Sequence, residues 1–424
     1  MVYQSPVGAR DLLPLDVAQK RWIEKRLQQV FHQWGYHRII TSTLERLDTL
    51  MAGGAIERST VIQLIDTEDE LLGLRPEVTA SIARAAIMHL NDASYPRRLY
   101  YNANVFRRSQ RGVHGRQQEF YQAGVELLCG AGVLADAEIL LLLGECLRSC
   151  GIGTCHLVLG EAGLTRSLLN DFPPHLRETV RTAIAHLDRT TLETLPLEPQ
   201  LRERALQLFD LRGLPADVLQ KVSQLSLDPA QQEAVNNLKT LVDLLQDFHA
   251  RIPNPDLQII LDLSLIQTFD YYTGIVFEVV SGSEARVLGQ GGRYDQLLGT
   301  YHPQGKTYPG IGFCLNIEDL HYTLLNSDRL PQHLPISDCI VAAQTPQATA
   351  AAFAYAHQLR SSQPENRVEV ELGPDRSAEE VRAIARRRQI AQIIWVNAQG
   401  ETQTEQMESA PRSKETGLHA SPIE

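Results

Sequence analysis

The sequence predicts an α+β fold, an antiparallel sheet with helices and a helical insertion, followed by a small C-terminal three-stranded α/β domain. Three patterns lead there. Two long strand-like runs are joined by a polar loop, not by a helix. The stretch from Thr165 to Phe248 reads almost wholly as short amphipathic helices separated by Pro and Gly. A βαβαβ order appears only near the C-terminus.

Taken in order, Trp22, Ile23, Leu27, Val30 and Phe31 recur at helical spacing and place a helix from about Val17 to Trp34, which Gly35 ends. A β-rich segment, Tyr36 to Leu44, and a β/turn region, Val61 to Leu74, follow. Pro76 suits a helix start, and the spacing predicts a helix from Thr79 to Leu90. Arg98 to Arg107 and Gln118 to Leu128 read as a long hairpin, followed by a helix from Asp136 to Leu147 and a strand from His156 to Leu159. After the helical stretch, strands return at Gln258 to Asp262, Ile275 to Val280 and Arg286 to Leu288. Gly289, Gly291 and Gly292 then read as a turn, before a strand from Gly310 to Cys314 and a helix.

Polar, proline-containing residues from Asn326 to Pro335 read as a linker. Beyond it come strands at Cys339–Ala343, Arg367–Glu371 and Ile393–Val396, with helices at Gln347–Leu359 and Ala378–Arg388. The expected divisions are thus 1–325 with a helical insertion at about 165–255, a truncated domain at 336–397, and a disordered polar tail at 398–424.

A net charge of −11 argues against a general nucleic-acid binder. No apolar stretch is long enough to span a bilayer, and no basic start precedes an apolar run, so a cytoplasmic location is expected. Six scattered cysteines fit reduced thiols. Cys146, Cys150, Cys155 and His156 lie close in sequence, but lack a second half with ligand spacing and read as packing. No metal and no cofactor are expected.

Candidate chemistry concentrates in two blocks. The first joins Arg75–Pro76–Glu77–Val78–Thr79–Ala80, Phe106–Arg107 and Gln122–Ala123–Gly124–Val125–Glu126. Gln122 and Glu126 share a face at even strand spacing. With Glu77 they offer acceptors for an amine and an imidazole N–H, while Arg107 could meet a carboxylate or phosphate through two N–H groups. The second block is Asp270–Tyr271–Tyr272–Thr273–Gly274 with Gly289 to Asp295, where glycines allow close backbone approach to a ligand. Each alone is weak, since paired tyrosines usually pack in a core.

In this order the motifs, with Gly8 to Pro14, Gly35–Tyr36 and Gly310–Ile311–Gly312–Phe313, resemble the class II aminoacyl-tRNA synthetase fold. Within it they resemble the histidyl-tRNA synthetase family, over about residues 5–325. The resemblance implies a histidine pocket. Glu77, Thr79 and Gln122 would meet the amino group, Glu126 and Tyr272 the imidazole with Tyr271 and Tyr294 beside it, and Arg107 the carboxylate. The segment 336–397 resembles a shortened anticodon-binding domain.

Three positions of the activation chemistry depart from that family. Gln267 and Asp319 stand where it carries arginines, and Ser109 where it carries a glutamate. Ser42 replaces the proline of the first motif, which bears on the dimer interface. Amino-acid activation passes through an anionic phosphorus centre that needs fixed positive charge, so these departures imply a site that binds histidine without activating it. That combination is similar to the regulatory subunits of ATP phosphoribosyltransferase. Such a chain would be non-catalytic, required for the first step of histidine biosynthesis, and a possible mediator of histidine inhibition. Its implied partner is a short-form catalytic chain, with a dimer inside a hetero-oligomer and no membrane or nucleic-acid role. An active histidine–tRNA ligase and a tRNA-binding or sensing paralogue stand as alternatives, the latter through Arg382, Arg386, Arg387 and Arg388.

Overall fold

The computed structural model describes residues 5, 8–54, 56–89, 96–108, 117–252, 257–265, 271–373 and 376–407. The chain divides into two compact units, Met1–Gln332 and His333–Glu424.

The first unit opens with α1 (Pro14–Gln33), β1 (His37–Arg38), β2 (Leu44–Arg46) and α2 (Leu47–Ala52). Then come β3 (Gln63–Ile65), β4 (Leu71–Leu74), α3 (Thr79–His89), the hairpin strands β5 (Arg97–Phe106) and β6 (Glu119–Leu128), α4 (Gly132–Cys150) and β7 (Cys155–Glu161). The helical insertion holds α5 (Ala162–Leu169), α6 (Pro174–Ala185), α7 (Arg189–Thr194), α8 (Pro199–Phe209), the short β8 (Arg212–Gly213), α9 (Pro215–Ser223) and α10 (Pro229–Arg251). Pro174, Pro199, Pro215 and Pro229 each open a helix, where the missing N–H costs nothing. The unit closes with β9 (Leu257–Asp262), β10 (Ile275–Ser281), β11 (Val287–Arg293), α11 (Leu297–Tyr301), β12 (Gly310–Asn316) and α12 (Ile317–Leu324).

Among the described residues nine strands form one sheet, ordered β1-β5-β6-β12-β11-β10-β7-β9-β8. It is antiparallel except at β1–β5 and β7–β9. Strand alternation gives it two different faces. Val125, Leu127, Ile311, Phe313 and Phe277 pack with Ile23, Leu27 and Phe31 of α1 and Ile139 and Leu143 of α4 in the main core, which also takes in the insertion helices. The opposite face carries Gln122, Gly124 and Glu126 of β6 beside Asn316, Cys314 and Gly312 of β12, in direct register. That face is the floor of the candidate site.

One expectation is refined here and one corrected. The β-rich segment from Tyr36 to Leu44 is not strand throughout: β1 holds His37–Arg38 and β2 begins at Leu44. The Arg75 guanidinium takes the carbonyls of Thr41 (2.9 Å) and Ser42 (3.1 Å), so a side chain stands where a neighbouring strand would pair. Gly289, Gly291 and Gly292 are not a turn either: they lie inside β11, paired on both sides.

The second unit contains β13 (Cys339–Ala343), α13 (Thr349–Ser362), β14 (Val368–Val370), α14 (Ala378–Arg387), β15 (Gln392–Val396) and β16 (Thr402–Gln406). Its sheet has order β14-β13-β15-β16, parallel through β15 and antiparallel at β16. Ala352 and Ala356 of α13 pack on one face, Val381 and Ala385 of α14 on the other. The fourth strand lies in the segment read as tail, of which 408–424 fall outside the described residues. An edge strand exposed along nearly its whole length needs no apolar alternation, so its signal is absent from the sequence. Glu405 of β16 accepts from Arg382 (2.6 Å) and Trp395 (2.8 Å). Arg386 pairs with Glu379 and Arg388 with Glu369, so three arginines of the α14 cluster are held by carboxylates.

Candidate functional site

Eight residues singled out in the sequence, Glu77, Thr79, Arg107, Gln122, Glu126, Tyr271, Tyr272 and Tyr294, line one cleft of about 380 Å³, part of it open to solvent. Each reaches it from a different local cause.

Glu77 precedes α3, and its carboxylate accepts the N–H groups of Thr79 (2.6 Å) and Ala80 (2.9 Å), the donors a helix start leaves unpaired. It is buried, which raises its pKa against the pull of those hydrogen bonds and of the Arg107 guanidinium. Arg107 directly follows the last residue of β5, its Nε donating to Pro76 O at 2.9 Å. Gln122 on β6 donates from Nε2 to Asn316 Oδ1 at 3.1 Å, leaving an acceptor and a second donor in its amide for the cleft.

Glu126, only 1% exposed, lies at the bottom. Thr79 Oγ1 donates to one of its oxygens at 2.7 Å and the Tyr294 hydroxyl to the other. Burial pushes its pKa up to about 8, opposed by those two hydrogen bonds and reinforced by Glu77. The glycines explain how the side chains fit. Gly312 pairs directly with Glu126, and a Cβ there would overlap the carboxylate. A Cβ on Gly292 would stand 2.7 Å from the Tyr272 ring. Tyr271 meets Tyr272 edge-on at 4.9 Å and Tyr294 at 5.9 Å, closing the side of the cleft. Burial raises all three tyrosines well above the usual phenol range.

Arg293, from the same motif, does not line the cleft. It is buried against Asp136 of α4 at 2.6 Å and reaches Asp295 at 3.1 Å, fixing the end of β11 to the helix behind it. Sequence reasoning missed Tyr101, Gln290 and Cys314 as lining residues. Tyr101 opposes Gly124, while Gln290 and Cys314 oppose each other, all on the face that bears Gln122 and Glu126. Only strand register identifies them, and no local motif encodes it.

Of the three departures, Gln267 and Ser109 lie outside the described residues, as does Asp270. Asp319 sits on the first turn of α12, where Arg286 Nη1 donates to it at 3.0 Å. Its charge is therefore paired. Cys146, Cys150 and Cys155 are buried in the main core, and no metal-competent cluster of acids, histidines or cysteines occurs among the described residues. Among those residues no helix is long and apolar enough to cross a membrane.

Comparison with known proteins adds three findings. The family model described as histidyl-tRNA synthetase matches residues 8–320. Proteins called ATP phosphoribosyltransferase regulatory subunit match nearly end to end: that of Nostoc sp. strain PCC 7120 is 64% identical, covering 94% of this chain and 98% of its own. That of Nostoc punctiforme is 62% identical, covering 96% and 100%. Among solved structures, an ATP phosphoribosyltransferase regulatory subunit/histidyl-tRNA synthetase from Bacillus halodurans superposes with TM-score 0.78 at 27% identity, over 94% of this chain and 99% of that one. The histidyl-tRNA synthetase of Nostoc sp. PCC 7120 shares the fold, with TM-score 0.74 at 21% identity over 95% and 97%.

Proposed function

The chain belongs to the family of ATP phosphoribosyltransferase regulatory subunits, built on the histidyl-tRNA synthetase fold, and on that premise we propose that it is the non-catalytic subunit required for that transferase, the first step of histidine biosynthesis. One observation carries the reading. Nostoc sp. PCC 7120 has a regulatory subunit 64% identical to this chain and also a separate histidyl-tRNA synthetase sharing only 21%. A cell equipped with both does not need its regulatory subunit to charge tRNA.

In this reading the chain works in the cytoplasm as a dimer, joined to short catalytic chains that bind ATP and phosphoribosyl pyrophosphate. Histidine occupies the cleft, its ammonium among Glu77, Thr79 and Gln122, its ring between Glu126 and Tyr272, and its carboxylate toward Arg107. Tyr271 and Tyr294 enclose the ring. Histidine can inhibit only by binding one state of the complex more tightly than the other.

The chemistry of activation is what the site lacks. Adenylate formation requires fixed cations around the phosphates. At position 319 there is a carboxylate, and the arginine near it, Arg286, is shared between Asp319 (3.0 Å) and Glu284 (3.4 Å). The paired arginines of α14 favour a structural role for the second unit over an RNA grip.

The test is reconstitution. Co-expressed with a short phosphoribosyltransferase chain, this protein is expected to co-purify with it and to raise its transferase activity. Separate elution, with activity unchanged on mixing, contradicts the reading.

A further inference from the structure

The cleft holds two buried carboxylates in unlike surroundings. Glu77 has two backbone N–H groups at the positive end of α3 and the Arg107 guanidinium, all of which favour its anion. Among the described residues the donors to Glu126 are hydroxyls, from Thr79 and Tyr294. The groups that face it are Glu77 ahead of α3, Tyr101 on β5, Cys314 on β12 and Tyr272 ahead of β10. Tyr36, after α1, and Tyr271 also feel its charge. None of these is a cation. Among the described residues the cationic side chain lining the cleft is Arg107, and it acts on Glu77 and Cys314.

Among the described residues two anions would share this cavity with the Arg107 cation held by Glu77, a costly state, so the empty site keeps a proton on Glu126. Its elevation to about 8 by burial agrees with that geometry. A ligand nitrogen reaching Glu126 meets a carboxylic acid whose oxygens already accept two hydroxyls.

We infer that the ring nitrogen of the bound amino acid takes this proton, so that the pocket selects a ring base titrating near neutrality and holds it as a cation against the Glu126 carboxylate. The inference rests on the histidine reading of the cleft. The balance is simple: the Glu126 O–H bond breaks, a ring N–H forms, and no proton enters or leaves the complex. A neutral carboxylic acid and a neutral imidazole become an ion pair in a site too buried for either charge alone.

This fixes a pH signature. Between the ordinary imidazole value of about 6.5 and the Glu126 value of about 8, affinity is level and binding exchanges no proton. Below that window free histidine brings its own proton and one must be released. Above it neither partner carries the proton and one must be taken up. Affinity falls on both sides, approaching about tenfold per pH unit.

Titration calorimetry on the full chain, from about pH 5 to about pH 10 in buffers of different ionisation enthalpy, tests it. The probes are histidine and 2-fluorohistidine, a near-isostere whose ring is far less basic. The expected result is the level window with release below and uptake above, and a loss on the order of a hundredfold for the fluoro analogue near pH 7. Equal affinities for the two probes, or affinity that changes monotonically with pH, overturns the inference and leaves the histidine site standing. Absence of histidine binding at every pH overturns both. Glu126→Gln is expected to remove the fall that begins near pH 8, leaving the later fall that comes as the histidine α-ammonium loses its proton, and the wild-type comparison of probes does not depend on that variant folding.

Discussion

The two ends of the β11–β12 ladder are built on opposite principles. At one end Gly292 and Gly312 withdraw their side chains so that Tyr272 and Glu126 lie against bare backbone, and the polar groups are buried, partnered and directed around a cavity. At the other end Arg286 and Asp319 meet in a half-exposed pair, 39% and 30% accessible. The first arrangement costs desolvation and is sustained by hydrogen bonds among the lining groups around a ligand-sized space. The second satisfies its charges mutually and leaves little positive field for phosphates. In the proposed reading, one strand pair thus keeps recognition at one end and has lost the means of activation at the other.

The contrast can be broken from its buried end first. Arg293→Met leaves Asp136 buried without its partner and should destabilise the first unit by about 3–5 kcal/mol in denaturant titration. A change within experimental error would mean that the ion pair does not hold β11 to α4. Gly312→Ala drives a methyl group into the Glu126 carboxylate. It should cost about 1–3 kcal/mol and abolish histidine binding, whereas Gly305→Ala, which meets open space at a φ of +67°, should leave histidine binding unchanged. If both variants bind alike, close packing against Glu126 is not what shapes the site.

A smaller effect comes from pH. Glu126 titrates at about 8 in the fold against an ordinary 4.5. Its folded pKa is raised, so the stability tied to its proton is complete below about 4.5 and is lost as pH rises through about 8. The melting temperature of Glu126→Gln should therefore gain on the wild type across that window. A constant difference between the two would mean that Glu126 is ionised throughout. Smallest of all, Asp319→Asn at the exposed end should shift stability by less than about 1 kcal/mol and leave histidine affinity intact. A large loss of affinity would join the two ends into one site.

What the sequence revealed follows the same division. Glu77, Gln122, Glu126 and Tyr272 were legible because spacing, residue type and motif order converge on them. So was the helical insertion, whose prolines mark helix starts. Tyr101, Gln290 and Cys314 were not, because cross-strand register places them and no short pattern encodes it. Gly289 to Gly292 misled for a related reason: glycine commonly signals a turn, but here it removes side chains from a strand crossed by an aromatic ring. The β16 strand was hidden because an exposed edge carries no apolar period. Arg286 went unnoticed as the partner of Asp319 because thirty-three residues separate them.

The claim that this cleft binds histidine without activating it meets its most direct test in histidine-dependent ATP–pyrophosphate exchange by the purified chain, run at a histidine concentration that saturates binding. The account predicts exchange no greater than in the absence of histidine. Exchange that depends on histidine, turns over at the rate of a working synthetase and is lost in Glu126→Ala would contradict it.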